Sequence, residues 1–215
     1  MSHTYRQDGT WMVRLIVTDN RGIADTTFTS AGVANVAPVV APFAGATLLP
    51  GETYTAVGSF ADPGADRWSA TANYGDGPTV EALVVSGKTF SLSHTYMSNG
   101  MYKVTVQVSD DDVTSAPGTQ FVTVLMPTVA LDRATDMIRD IAGTANLRSG
   151  NANSLNVKID AAQKQIASGN NTAAANQLRS LLNELDAMIR SGRVSAEDAE
   201  PLKAMVERII RSISL

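Results

Sequence analysis

At 215 residues, with 44% hydrophobic and 18% charged side chains, the chain is long enough for two compact domains and too apolar for disorder. A net charge of −4 has the wrong sign for neutralising phosphates, which excludes ordinary nucleic-acid binding, and zero cysteines exclude disulfides, thiol catalysis and Cys-type zinc sites. No apolar run approaches the roughly 18 residues that span a bilayer, so membrane insertion is not expected.

Composition changes sharply along the chain. All twelve aromatic residues precede residue 122, and residues 1–128 hold twelve of the sixteen Gly and seven of the eight Pro. The break falls at Met126-Pro127-Thr128 and marks a domain boundary. In the first part, Trp11, Val13, Leu15 and Val17 alternate with Met12, Arg14, Ile16 and Thr18, and Tyr102, Val104, Val106 and Val108 alternate with Lys103, Thr105, Gln107 and Ser109. Period two with β-branched side chains predicts half-buried strands. Further strands are expected over 52–60, 67–74, 79–85, 89–93 and 119–125. Asp62-Pro63-Gly64, Gly75-Asp76-Gly77-Pro78 and Ser98-Asn99-Gly100 supply the turns, and short strands at this spacing predict a β-sandwich.

Beyond Pro127 the period becomes helical. Leu131, Ala134, Ile138 and Ile141 form a first stripe, and Leu155, Ile159, Ala162 and Ile166 a second. Leu178, Leu181, Leu182, Leu185, Met188 and Ile189 form the third, and Leu202, Met205, Val206, Ile209, Ile210 and Ile213 the fourth. Gly150, Gly169 and Gly192 read as helix stops, and Asn151 or Asn153, Asn171 and Ser195 as N-caps. Pro201 places a turn at 195–199 and the start of the last long helix near Pro201 itself. Four helices with short links predict an antiparallel bundle.

One pattern occurs twice. His3-Thr4-Tyr5, Gly9, Trp11, Val13, Leu15, Val17 and Asp19 recur as His94-Thr95-Tyr96, Gly100, Tyr102, Val104, Val106, Val108 and Asp110, each 91 residues later, which suits one sandwich per repeat. The expected element is a corner followed by a hairpin strand. The Tyr ring packs under the loop with its hydroxyl bonded to backbone, and Gly takes a positive φ before the strand.

Residues 38–126 resemble the PKD domain, an immunoglobulin-like sandwich common in bacterial extracellular proteins. Trp68 to Gly77, His94-Thr95-Tyr96, Gly100-Met101-Tyr102 and Val104 to Asp110 carry the resemblance, with Ser59 to Asp66 fitting a subgroup. Asn73-Tyr74 departs mildly from the Trp-Asp-Phe that often precedes Gly-Asp-Gly. Residues 1–37 then read as a partial PKD-like domain, its last two strands only, with five strands to be supplied from upstream. A lone hairpin has too little core for stability. Its exposed strands favour edge pairing, which makes a strand-swapped homodimer through residues 1–30 one expectation. The helical part, residues 129–215, is similar to the FIMAH domain, a helical module near the C-terminal end of many secreted bacterial proteins. Its landmarks are Leu147 to Leu155, Asn176-Gln177-Leu178 and Ile189 to Ser195. The expected fold is therefore an immunoglobulin-like antiparallel β-sandwich followed by an antiparallel four-helix bundle.

Chemistry is sparse. The two histidines share one repeat position beside the corner Tyr, where a loop-fixing role is the plain reading, and no Ser-His-Asp or His-x-x-x-His arrangement exists. Carboxylates remain. Asp62 and Asp66 flank one turn and Asp110, Asp111 and Asp112 follow a strand, so strand-end loops meeting at one pole can gather oxygens for calcium; the competing reading is solvated turn acids. Asp76 reads as hairpin geometry. Trp68 and Tyr74 share a strand face with Ala70 and Ala72, which reads as core rather than a sugar platform. Arg190, Arg193, Arg208 and Arg211 alternate with acids and read as a mixed solvated surface. The resemblances imply a non-catalytic module near the C-terminal end of a larger secreted or surface bacterial protein. Its signal peptide is expected in that longer parent, because Met1-Ser2-His3-Thr4-Tyr5 lacks the basic and apolar regions of one. Its expected work is to present neighbouring domains or to bind protein or polysaccharide at the cell exterior, with no required cofactor. The alternative is a substrate-binding accessory region of a secreted protease or glycoside hydrolase.

Overall fold

A computed structural model describes residues 2–144 and 149–215. Eleven strands precede four helices among the described residues. The strands are β1 (Gly9–Thr18), β2 (Ala24–Val33), β3 (Val39–Val40), β4 (Ala46–Leu48), β5 (Thr53–Ala61), β6 (Ser69–Asn73), β7 (Glu81–Leu83), β8 (Val85–Ser86), β9 (Thr89–Thr95), β10 (Gly100–Ser109) and β11 (Gly118–Val124). The helices are α1 (Pro127–Thr144), α2 (Ser149–Ala167), α3 (Asn171–Arg190) and α4 (Ala196–Ile213). Strands β3 to β11 form an immunoglobulin-like sandwich. One sheet has the order β4-β11-β10-β6-β7 and the other β3-β5-β9-β8. Strand β4 lies parallel to β11, an exception to the antiparallel pairing of β6 with β7 and β10, β3 with β5 and β8 with β9. The run expected over 79–85 divides between the sheets: β7 pairs with β6, and β8 pairs with β9.

The chain divides into two compact units. The first is Met1–Gly45, Thr55–Leu92 and Lys103–Gln120; the second is Ala46–Tyr54, Ser93–Tyr102 and Phe121–Leu215. In the first, alternation decides the core. Val104, Val106 and Val108 of β10 are fully buried, as are Ala70 and Ala72 of β6 and Tyr74 beyond it, while Lys103 and Gln107 face solvent. Phe43 and Phe90 meet edge to face at 6.0 Å, as do Phe60 and Trp68 at 5.6 Å. Gly58 is required by packing: a Cβ there would lie 2.2 Å from the buried Phe90 ring. The expectation that Trp68 belongs to the core with Ala70, Ala72 and Tyr74 holds only in part: the last three are buried and Trp68 is not fully so. The indole is half-buried, and the Lys88 ammonium lies 4.9 Å from its centroid.

The same period has the opposite outcome in the first unit's hairpin. Strands β1 and β2 pair over their full lengths, from Gly9 opposite Val33 to Thr18 opposite Ala24. Yet Leu15 and Val17, the counterparts of Val106 and Val108 at the 91-residue offset, are 57% and 60% exposed. The turn is closed by Asp19, whose Oδ1 accepts from the amides of Arg21 and Ile23, with Gly22 at φ +83°.

The corner repeats in detail. His3 meets Tyr5 edge to face at 4.6 Å and Tyr5 stacks on Trp11 at 5.8 Å; His94 meets Tyr96 at 4.8 Å and Tyr96 stacks on Tyr102 at 4.5 Å. Trp11 Nε1 donates to the Gln7 carbonyl at 3.2 Å and Tyr102 Oη to the Ser98 carbonyl at 2.8 Å, both four residues back. The strand's first aromatic therefore makes this bond to backbone as well as stacking on the corner Tyr. Gly9 takes the expected positive φ of +114°, whereas Gly100 does not; its place is fixed by the Tyr102 ring, 3.1 Å from where a Cβ would sit.

In the second unit each helix packs on two others: α1 on α2 and α4, and α3 on α2 and α4. Leu131, Ile138, Leu155, Ile159, Leu178, Leu181, Leu185, Leu202, Val206 and Ile209 are fully buried together, and Leu49 from the segment after β4 belongs to the same core. Gly169 and Gly192 stop α2 and α3 at φ +75° and +69° as expected. Other helix boundaries differ. Gly150, Asn151 and Asn153 lie inside α2, and α3 begins after Asn170, which makes no side-chain cap. Helix α4 begins at Ala196, not near Pro201. Ser195 Oγ accepts from the Asp198 amide at 3.0 Å, and burial of Ala199 and Leu202 carries the helix through Pro201, which forfeits one backbone bond near the start. Of the expected landmark Leu147 to Leu155, Leu147 and Arg148 lie outside the described residues.

Arg208 on α4 grips Glu52 with two parallel bonds of 2.7 Å, Nε to Oε1 and Nη2 to Oε2, and the Leu49 amide donates to Oε2 at 2.9 Å. Partial burial pushes the Glu52 carboxyl up. The hydrogen bonds from Arg208 and Leu49 and the charges of Arg208 and Arg211 outweigh it and hold the group below its ordinary range. A lowered folded pKa stabilises the fold above the unfolded value, and that contribution is lost as pH falls through the folded value. Urea unfolding of wild type against Glu52→Gln should therefore diverge near neutral pH and converge in acid. A double-mutant cycle with Arg208→Ala should give a coupling of about 1 kcal/mol at pH 7, because both groups are partly exposed.

Candidate functional site

The β5–β6 loop and the turn after β10 bring three carboxylates together. Asp62, Asp66 and Asp110 each offer an oxygen within 4.8 Å of the other two. Asp62 is buried, with 7% of the residue exposed, and its Oδ1 accepts from the Gly64 amide at 2.7 Å. Its Oδ2 is buried with no hydrogen-bond partner, and so is Oδ2 of Asp66. Lys88 donates to the Asp62 main-chain carbonyl rather than to its carboxylate. Among the described residues, no Lys or Arg forms an ion pair with any of the three carboxylates.

The loops fold this way for local reasons. Asp110 Oδ1 accepts from the amides of Asp112 and Val113 at 2.8 and 2.5 Å, closing the turn as Asp19 does at the equivalent position. Asp66 folds over Gly64, where a Cβ would meet its Oδ2 at 2.0 Å. Of the five acids singled out in the sequence, the structure brings together Asp62, Asp66 and Asp110. Asp111 and Asp112 are exposed and stand outside that trio.

Sequence reasoning missed the neighbours that arrive from the N-terminal hairpin. Gln7 Nε2 donates to Asp66 Oδ1 at 2.5 Å, Asn35 Nδ2 to Asp110 Oδ2 at 3.1 Å, and the Ala65 amide to the Arg6 carbonyl at 3.0 Å. No spacing rule reaches these pairs, which stand 59 and 75 residues apart for the two side-chain bonds. The electrostatics follow. Burial raises the Asp66 carboxyl, and the charges of Asp62, Asp111 and Asp110 add to it against the Gln7 bond, so it stands above its ordinary range. Burial also pushes Asp110 up, but bonds from Val113, Asn35 and Asp112 outweigh it and hold it low. Asp112 is raised chiefly by the charge of Asp8. The arrangement supplies hard, anionic oxygens without a nucleophile or an adjacent base.

Comparison with known families assigns both parts of the chain. The profile of the PKD domain matches residues 35–125, and that of the FIMAH domain matches residues 131–211. The chain joins a PKD domain to a FIMAH domain. No match is found among curated proteins. Solved structures similar to it include the PKD domain of an M14-like peptidase from a Thermoplasmatales archaeon, with 28% identity over 43% of this chain and 100% of that one and a TM-score of 0.39. The PKD domain of the human VPS10 domain-containing receptor SorCS2 shares 23% identity over 44% and 75% of the two chains at a TM-score of 0.32. Fibronectin(III)-like modules of Clostridium thermocellum CbhA share 13% over 54% and 63%, at 0.34. PKD and FIMAH domains are typical of extracellular proteins and are typically non-catalytic. The acidic cluster lies wholly within the PKD-matched residues, while Gln7 precedes them. No helix among the described residues is long and apolar enough to cross a membrane.

Proposed function

We propose that this chain is a non-catalytic extracellular spacer and interaction module that presents neighbouring domains. The observation that carries the reading is the succession of a PKD and a FIMAH domain along one chain. Burial supports it. Phe43, Tyr54, Phe60, Tyr74, Phe90 and Tyr96 are all consumed by the interior; Phe121 is the exposed aromatic of β3 to β11, and the exposed Trp11 and Phe28 lie on opposite faces of the β1–β2 hairpin. A sugar-stacking platform needs several exposed rings on one face. Presentation of a neighbour therefore fits better than polysaccharide capture.

A glycan microarray probed with the full chain tests this, together with hydrolysis assays on casein and on soluble polysaccharides. No glycan above background and no turnover are expected. Saturable binding to one polysaccharide, reduced at least tenfold by Phe121→Ala, would replace the spacer reading with sugar recognition.

A further inference from the structure

We propose that Asp62, Asp66 and Asp110 bind one calcium ion and that Gln7 and Asn35 complete its shell, so that calcium fastens the base of the β1–β2 hairpin to the loops of the sandwich. Two independent observations meet here. The first is convergence: three carboxylates from two loops lie within 4.8 Å of one another with no cationic side chain paired to them among the described residues. Oxygens held about 2.3–2.6 Å from a common calcium ion stand up to about 5 Å apart, so this spacing accepts the ion with little movement. The second is the orphaned Oδ2 of Asp62. A carboxylate oxygen on a residue 7% exposed, with no donor in reach, is costly unless a cation answers it. Asp66 Oδ2, on a half-buried residue, is likewise a buried atom with no hydrogen-bond partner.

The hairpin enters because its two ends already touch the cluster. Gln7 lies just before β1 and Asn35 just after β2, and each gives its amide to one of the three acids. An amide side chain turned end for end presents its carbonyl oxygen instead. Three carboxylates and two amide carbonyls, with water, reach the six to eight oxygens calcium takes. The irregular geometry of loop ligands suits calcium better than the strict octahedron of magnesium. A cavity beside the cluster is lined by Arg6, Gln7, Asp8 and Asn35 of the hairpin ends and by Gly64 and Asp66 of the loop, with Asp62 and Asp110 outside its lining.

The test is isothermal titration of CaCl2 into the full chain, stripped with EDTA, at pH 7.5. One site is expected, with a Kd of about 0.1–1 mM, the range of extracellular calcium modules. Binding should weaken more than tenfold in Asp62→Asn and in Asp110→Asn, each shown to be folded by its near-ultraviolet dichroism in EDTA. Asp111→Asn should stay within about twofold of wild type. The Gln7→Ala/Asn35→Ala pair should weaken binding about fivefold, and calcium should slow tryptic cleavage after Arg6. Absence of binding at 5 mM, or magnesium binding as tight as calcium, overturns the site. Calcium binding untouched by the Gln7/Asn35 pair, with cleavage after Arg6 unchanged, overturns the fastening.

Discussion

Leu181→Ala should destabilise the helical unit by about 2–5 kcal/mol. Leu181 is fully buried at the middle of α3, the helix that packs on both α2 and α4, and shares its core with Leu155, Leu178, Leu185, Leu202 and Val206. Truncation removes the transfer energy of three carbons and leaves a cavity that α-helices held by their neighbours close only in part. The chain offers a clean way to read it. Every aromatic residue precedes residue 122, so indole and phenol signals come from the strand region, while ellipticity at 222 nm is dominated by the four helices. Urea unfolding followed at 222 nm should show the midpoint fall. Leu182→Ala, at a half-buried position on the flank of the same helix, should cost clearly less. Equal losses at the two positions would contradict the packing described.

Gly75→Ala should cost about 2–4 kcal/mol, through strain and collision together. Gly75 has φ +83°, a region that a Cβ disfavours. The added carbon would also stand 2.7 Å from the Lys103 carbonyl oxygen and 2.9 Å from its nitrogen. These are main-chain atoms of β10, which cannot retreat without disturbing Val104 and Val106 in the sandwich core or the pairing of Thr105 with Asn73. Asn73 locks the same turn: its Oδ1 accepts from the Gly75 amide, and its Nδ2 donates to the carbonyls of Gly77 and Thr79. Gly77 is the internal control. It has no positive φ and open space around it, so Gly77→Ala should be neutral or slightly stabilising, because alanine narrows the unfolded ensemble. Near-ultraviolet dichroism during urea unfolding separates the two. Similar costs for both variants would show that turn flexibility, not the approach to Lys103, sets the requirement.

Local patterns carried much of the fold because they are themselves physical statements. The alternation in β10 names the buried face correctly, and the leucine stripes name the helix cores, since solvent exclusion acts on one side of each element. The reading faltered where two local signals competed. Pro201 suggested a break, but the Ser195 cap and the burial of Ala199 and Leu202 start α4 five residues earlier. The run over 79–85 looked like one strand, yet its halves pair with β6 in one sheet and β9 in the other, a choice that only the arrangement of sheets makes. Of the five acids, Asp62, Asp66 and Asp110 meet because their loops do, while Asp111 and Asp112, next to Asp110 in the chain, stay exposed outside the trio.

The amino-acid order alone determined that the corner occurs twice, 91 residues apart, while the stack of corner Tyr on the strand's first aromatic and that aromatic's bond four residues back became visible in the structure. It also determined which side of each strand and helix is apolar. Only the tertiary structure decided what covers those sides. The same valine-rich face is sealed at Val106 and open at Leu15, and Leu49, two residues short of a turn glycine, joins a helical core. Burial depends on what the rest of the chain brings opposite a face, and contacts across 50 to 150 residues leave no periodic trace in sequence.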